Sequence, residues 1–354
     1  MALGALAHIR IESKVHLLAR LRRVAAFACG LTVAVSVIFA TGELYLRITP
    51  PGDLAEYLGT DSPKTGPFRS DPRYGAQYRS LTALSDDNPG KLAPYQHLFD
   101  NPQPPKVWAF FGSSFAQAPG MLADTTRRYV PTRTTFNLGK NEIFPLRLAQ
   151  AEFLLDQGLP VERIFVVVIP LDGFFFALHS LDQIRVSSAG GISYAPRFPT
   201  VGGSLVRHSR LALQGWTQTG LHVNQPFYSV RQLNKRYDGR MLADFTAAFG
   251  HFADAAARHR VPVTVVLLPN HEQTTRGAGF AFQDAVTPVL RDQGYDVCDV
   301  RQEFLAYPDK PSLFIPDKHF SDTGNRLLLA TVLEHLRASD PASRDLPDPL
   351  TVRP

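Results

Sequence analysis

The sequence predicts an α/β fold: a three-layer α/β/α sandwich about a central, mainly parallel five-stranded sheet, preceded by one N-terminal transmembrane helix. Three observations carry this. Short apolar runs alternate with stretches of helical periodicity over residues 107–338. Two of the runs, Ile164–Ile169 and Val263–Leu268, are so continuously apolar and β-branched that both faces of each strand must be buried, as in a parallel sheet. Val24–Gly42 is a run of 19 residues without a charge. A chain of 354 residues, 44% hydrophobic, has room for one sizeable domain with additions.

Residues 1–23 form a basic tail. Arg10, Lys14, Arg20, Arg22 and Arg23 stand against Glu12 alone and carry four of the five net positive charges of the chain. The remainder is near neutral, which excludes a nucleic-acid footprint. At ~1.5 Å per residue the uncharged run 24–42 spans about 28 Å, the depth of a bilayer core. Positive charge on its amino side predicts a single-pass protein of the cytoplasmic (inner) membrane, N-terminus inside, with the body periplasmic or otherwise extracytoplasmic. A buried core helix would keep a polar face, and this run has none. A cleaved signal peptide fits the length too, but Ile38-Phe39-Ala40 makes a poor small-x-small cleavage site, so an uncleaved anchor is expected. The two cysteines, Cys29 in the apolar run and Cys298 in a later strand, imply neither a disulfide framework nor a cysteine metal site.

Residues 43–105 are dense in Pro, Gly and Asp, which break helices and long strands alike. Scattered aromatics (Phe68, Tyr74, Tyr78, Tyr95) give this segment apolar surface to bury, so it reads as a stalk wrapped onto the domain. Residues 106–340 form that domain, and 341–354 a C-terminal tail. Its strands are Val107–Phe111, Thr135–Asn137, Ile164–Ile169, Val263–Leu268 and Tyr295–Val300. Its helices are Leu146–Asp156, Met241–His259, Phe280–Gln293 and Ser321–Ala338. An insertion, 173–240, rich in Gly, Ser and aromatics, interrupts the alternation and is a candidate lid or substrate platform.

In open parallel sheets ligands gather outside the carboxyl ends of the strands. Gly112-Ser113-Ser114 follows the first strand directly, where Gly112 lets the chain turn and Ser114 starts a helix with its amide available to an oxyanion. Asp317-Lys318-His319 precedes the last helix, with Ser321 as its N-cap. A serine hydroxyl is a poor nucleophile at neutral pH, and acyl chemistry needs an imidazole to take its proton and a carboxylate to hold the tautomer. Ser114, His319 and Asp317 supply that set. An α/β-hydrolase elbow would need glycine where Ala116 stands, and a P-loop's Gly-Lys-Ser/Thr is absent.

These segments resemble the SGNH/GDSL hydrolases over about residues 105–337. Gly112-Ser113-Ser114-Phe115 is similar to their first block, Asn137-Leu138-Gly139 to the second, and Asp317-Lys318-His319 with Gly324 to the fifth. The resemblance implies Ser114 as nucleophile, His319 as base, Asp317 as its orienting carboxylate, and the amides of Ser114 and Gly139 in the oxyanion hole, with no metal and no cofactor. One departure is Leu171, which stands where the third block carries an oxyanion-hole asparagine. Asn141 and Asn270 are candidates to replace it, and His271 and Asp172 are candidate substrate contacts. The Asp-x-His spacing resembles the alginate O-acetylation proteins of the AlgX/AlgJ type, and Gly-Ser-Ser behind a membrane anchor resembles D-alanyl transfer proteins of the DltD type. By that resemblance the partners are a cell-envelope glycan or other acyl acceptor and a membrane-bound O-acyltransferase. The expected activity is a serine O-acyltransferase or esterase on acyl, chiefly acetyl, groups of exported polysaccharide. A catalytically silent binding or scaffold subunit of a polysaccharide modification complex is the alternative.

Overall fold

The computed structural model describes residues 25–46, 48, 66–88, 90–101, 105, 107–112, 114–118, 120–138, 144–178, 184–186, 190–194, 209, 211, 233–235, 237 and 239–354. The chain divides into two compact units, Met1–Leu54 with Thr200–Gly220, and Ala55–Pro199 with Leu221–Pro354.

In the first unit, helix α1 (Ala25–Leu46) is long and apolar enough to cross a membrane. Its apolar side chains, among them Phe27, Leu31, Val35 and Ile38, are exposed. Just past the uncharged run, Glu43 Oε2 accepts hydrogen bonds from Ser209 Oγ (2.9 Å) and from the Leu211 amide (2.9 Å). The Leu211 side chain lies over Gly42, where a Cβ would stand 3.4 Å from it.

The second unit is built on five parallel strands in the order β4-β3-β5-β8-β9: β3 (Val107–Gly112), β4 (Thr134–Phe136), β5 (Val161–Val168), β8 (Val263–Leu267) and β9 (Asp296–Asp299). Alternation within the strands feeds two cores. Val107, Ala109 and Phe111 of β3 and Ile164, Val166 and Val168 of β5 face one side, where α6 (Phe144–Asp156), α8 (Gly239–His259) and α10 (Ala281–Asp292) cover the sheet. Trp108, Phe110, Phe165 and Val167 face the other, under α5 (Leu122–Tyr129), α11 (Arg301–Ala306) and α12 (Asp322–Ser339). The chain winds outward from β3 in both directions, so the strand order reverses between β3 and β5, and the crevice outside their carboxyl ends is where such sheets hold ligands.

Residues 66–100 contribute to the first core. The hairpin β1 (Phe68–Asp71) and β2 (Gly75–Tyr78) buries Phe68, Tyr74 and Tyr78, and α2 (Leu81–Asp87) and α3 (Gln96–Asp100) bury Leu84 and Leu98. The turn of this hairpin is locked by charge. Buried Glu152 of α6 accepts from Tyr74 Oη (2.7 Å) and Arg258 of α8 (2.8 Å) and is also bonded to Arg73. Removing one partner of such a buried cluster strands the rest, so the hairpin and the two helices behave as one piece.

The described residues of the insertion include packed elements. Its hairpin, β6 (Ile184–Val186) with β7 (Ile192–Tyr194), packs on β2 with Ile184 in the core, and the Phe68 amide donates to Gly190 O at 3.2 Å. Phe176 of α7 (Pro170–Leu178) is core, tilted against Phe144 and edge-on to Phe245. The side chains of Phe174 and Phe175, and all of Trp216, lie outside the described residues. The C-terminal residues pack on the second core. Residues 341–354 end in α13 (Pro349–Val352), Leu346 and Val352 are buried in the second core, and Arg326 donates to the carbonyls of Val352 and Arg353. What reads as a tail in a short polar sequence is held by two apolar side chains and a guanidinium.

Candidate functional site

Gly112 ends β3 with φ +146°, a backbone region closed to L side chains, and a Cβ there would stand 2.3 Å from the Val167 carbonyl oxygen of β5. Only glycine lets the chain leave the sheet at this point. Ser114 follows as the first residue of a short helix, α4 (Ser114–Gln117). Its partner arrives on the loop before α12. Phe314 and Phe320 pair as an isolated bridge, the Ile315 amide donates to His319 O (2.9 Å) and the Lys318 amide to Ile315 O (2.9 Å), which closes a tight turn with Lys318 at φ +72°. A lysine held in the left-handed region costs conformational energy, the kind of strain that a surrounding frame has to impose.

That frame is the start of α12. Ser321 Oγ accepts from the Gly324 amide (3.1 Å) and donates to Ser312 O (2.6 Å). Gly324 lets the loop pass close, since a Cβ there would meet Leu313 O at 2.3 Å. The N-cap expected at Ser321 therefore also ties down the loop that carries His319.

His319 Nε2 lies 2.7 Å from Ser114 Oγ across 205 residues of sequence. On the other side of the ring Nδ1 is 3.1 Å from Asp317 Oδ1, and the same oxygen accepts from the His319 amide at 3.0 Å. With Nδ1–H donated to the carboxylate, Nε2 carries the lone pair that can take the serine proton. The His319 amide and then its ring hold the Asp317 carboxyl below the usual carboxylate range, so it stays ionised. Asp317 is nonetheless 63% exposed, and water screens its charge.

The remaining sequence candidates fall in three places. Gly139 and Asn141 lie outside the described residues. Asn270 is taken up by structure: Oδ1 caps α9 (His271–Arg276) by accepting from Gln273 N (2.9 Å), the Gln273 side chain returns a bond to the Asn270 amide, and Nδ2 donates to Asn234 Oδ1 (3.2 Å). Asp172, a candidate substrate contact, is likewise engaged at a helix start. It is 2% exposed and accepts from the Ile169 amide at 2.8 Å as the acid at the third position of α7, and burial pushes its carboxyl up to about 7. Leu171 beside it is 39% exposed at the start of the same helix. His271 sits edge-on to Phe314 at 5.0 Å, and burial, together with the charges of Lys318 and Arg276, holds its ring below the usual imidazole range. It is therefore neutral at pH 7, on the loop side of the site.

Sequence reasoning did not single out Phe115. Its ring lies against the imidazole of His319, centroids 4.9 Å apart and planes 32° from parallel. The only signal was an aromatic residue directly after the serine.

No family model matches the chain, and no curated protein matches it. Among solved structures, it is similar to the lipase/acylhydrolase from Enterococcus faecalis (TM-score 0.35, 13% identity, covering 66% of this chain and 96% of that one). It is also similar to an acetyl xylan esterase, AlAXEase (TM-score 0.35, 13% identity, covering 64% of this chain and 98% of that one). At that level of similarity neither bears on the chemistry, which rests on the side chains.

Proposed function

We propose that the protein is a membrane-anchored serine acyl-transfer enzyme, an O-acyltransferase or esterase. The observation that carries the reading is the relay Ser114 Oγ, His319 Nε2 and Asp317 Oδ1, at 2.7 and 3.1 Å. Ser114 Oγ attacks the carbonyl carbon of an acyl donor as its proton passes to His319 Nε2. The tetrahedral intermediate collapses, the donor alcohol leaves with that proton, and Ser114 is left acylated. An acceptor hydroxyl, or water, then gives its proton to His319 and takes the acyl group. The Ser114 amide, at the start of α4, is the oxyanion donor within the described residues.

The resemblance of the three segments to SGNH enzymes of the cell envelope favours an acyl group of exported polysaccharide, a glycan acceptor and a membrane-bound O-acyltransferase as working partner. The anchor reading is supported by Glu43, whose two hydrogen bonds to Ser209 and Leu211 make the end of α1 part of a folded unit, which a removed leader would not be. A scaffold role without chemistry has one observation in its favour, the apolar Leu171 at the start of α7. Intact mass of the full-length protein in detergent after incubation with p-nitrophenyl acetate decides between them. A stable acetyl adduct lost in Ser114→Ala supports transfer, turnover to acetate with no adduct supports hydrolysis, and no reaction refutes the enzyme.

A further inference from the structure

We propose that Phe115 is a positioning residue for His319: its ring covers one face of the imidazole and favours the imidazolium that forms as the proton leaves Ser114. The proposal rests on the acyl-transfer reading above. Phe115 is 8% exposed, and its ring also packs against Phe320, with centroids 4.9 Å apart and planes at 73°. Phe320 in turn is wedged against Phe304 (4.9 Å) and Phe314 (5.3 Å). The imidazole is thus fixed at three points: Nε2 at Ser114, Nδ1 at Asp317, and one ring face at Phe115.

A cation within about 6 Å of an aromatic centroid is drawn to the negative face of the ring, more strongly as water is removed. The Phe115 ring lies within that reach of His319, centroids 4.9 Å apart and planes tilted by 32°. The other charges do less than they would in a buried triad. Asp317 is 63% exposed and its attraction is screened. Lys318, next in the chain, opposes a second positive charge. His271, reaching Lys318 from α9, is held neutral. Asp322 of α12 is engaged by Arg128 at 3.3 Å. From α4 come only Ser114 and Phe115 itself. A nonpolar face with a fixed quadrupole, which an aliphatic side chain of the same bulk does not provide, therefore adds to the support that Asp317 gives the imidazolium.

The test compares Phe115→Leu and Phe115→Tyr with the wild type, all full length in detergent. Two quantities are read: the rate of Ser114 acylation by p-nitrophenyl acetate as a function of pH, and the His319 titration by NMR without any substrate, assigned against His319→Ala. Leucine keeps the cover and removes the π face. The acid limb and the NMR midpoint should both fall by about half to one pH unit, and the plateau rate by about tenfold, while tyrosine stays near wild type. Unmoved midpoints in the leucine variant, or equal losses with tyrosine, overturn the proposal. Should the leucine variant fold poorly, fluorinated phenylalanines at 115 keep the shape and drain the ring face, and the NMR midpoint should fall stepwise with fluorination. A flat series refutes the proposal. Absence of acylation with a normally shifting midpoint would instead sink the acyl-transfer reading and leave the positioning intact.

Discussion

Gly112→Ala isolates the geometry that delivers Ser114. The new methyl would sit 2.3 Å from the Val167 carbonyl oxygen, and that oxygen belongs to the backbone of β5, so no rotamer can relieve the overlap. Two costs combine. A φ of +146° costs an L residue about 1–3 kcal/mol, and forcing a methyl into a filled space costs about as much again. The sum, about 2–6 kcal/mol, is large against the ~5–15 kcal/mol that holds a domain together. The cheapest relief is to part β3 from β5 at their carboxyl ends, which moves Ser114 away from His319, and a displacement of about 1 Å can cost about 10² in rate. Gly120→Ala is the control, since it too has positive φ (+79°) but nothing within 4 Å of the added Cβ. Thermal unfolding and acylation by p-nitrophenyl acetate well below the unfolding midpoint are the two assays. The expected result is a strongly lowered midpoint and a rate loss near a hundredfold for Gly112→Ala, against about 1 kcal/mol and an unchanged rate for Gly120→Ala. Equal behaviour of the two variants would refute the claim that close approach to Val167 sets the serine.

Three further outcomes follow from the same geometry. Asp172 has its folded-state pKa raised to about 7 from 3.8, so its contribution to stability is full below about pH 4 and is lost as pH rises to 7; the shift of about 3 units caps the loss at about 4 kcal/mol. Urea unfolding between pH 4 and 8 should therefore slope less in Asp172→Asn, whose Oδ1 still accepts from Ile169, and parallel slopes count against the buried acid. Asp317→Asn should slow acylation by about tenfold to a hundredfold, less than loss of a buried orienting carboxylate, because the group is 63% exposed; a loss near 10⁴ would mean that it closes off from water in the working complex. Glu43→Ala should speed limited proteolysis near residues 209–211 with little change in acylation rate, and unchanged cleavage would mean that the two hydrogen bonds do not hold that segment.

The sheet was legible because parallel strands are buried on both faces: runs such as Val263–Leu268 cannot be mistaken for amphipathic elements, and the five expected strands lie within a few residues of those observed. The Ser114, Asp317 and His319 set was legible because its spacing carries its chemistry. Two of the polar candidates, Asp172 and Asn270, sit at helix starts. Pro170 at the first position and Asp172 at the third form a helix-start signature, as does Asn270 followed three residues later by Gln273. Both patterns were present in the sequence, and each accounts for its polar side chain without a substrate. The aromatics Phe68, Tyr74 and Tyr78 marked their segment as one that wraps onto the domain, and they are buried there; the ring partner of Phe115 and the hairpin pairing of β1 with β2 were not legible, since such partners are decided by segments far away in the chain.

The start of α7 bears most directly on how the site could work. Gly112 pairs with Val167, so the chain leaving β5 emerges one strand away from Ser114. There the helix offers an exposed Leu171 and an Asp172 turned inward to cap it. Neither can donate a hydrogen bond to a developing oxyanion: one is apolar and the other is buried against a backbone amide. In the proposed reaction the donor that the described residues offer to a tetrahedral intermediate is a main-chain amide, that of Ser114 at the start of α4. An amide fixed at a helix start needs no reorganisation as charge develops, but it gives one bond where a side chain beside it would give a second, and each such donor is worth about 10²–10³ in rate. A site of that kind acylates slowly unless its base is well held. That is the condition under which the ring of Phe115 on His319 counts most.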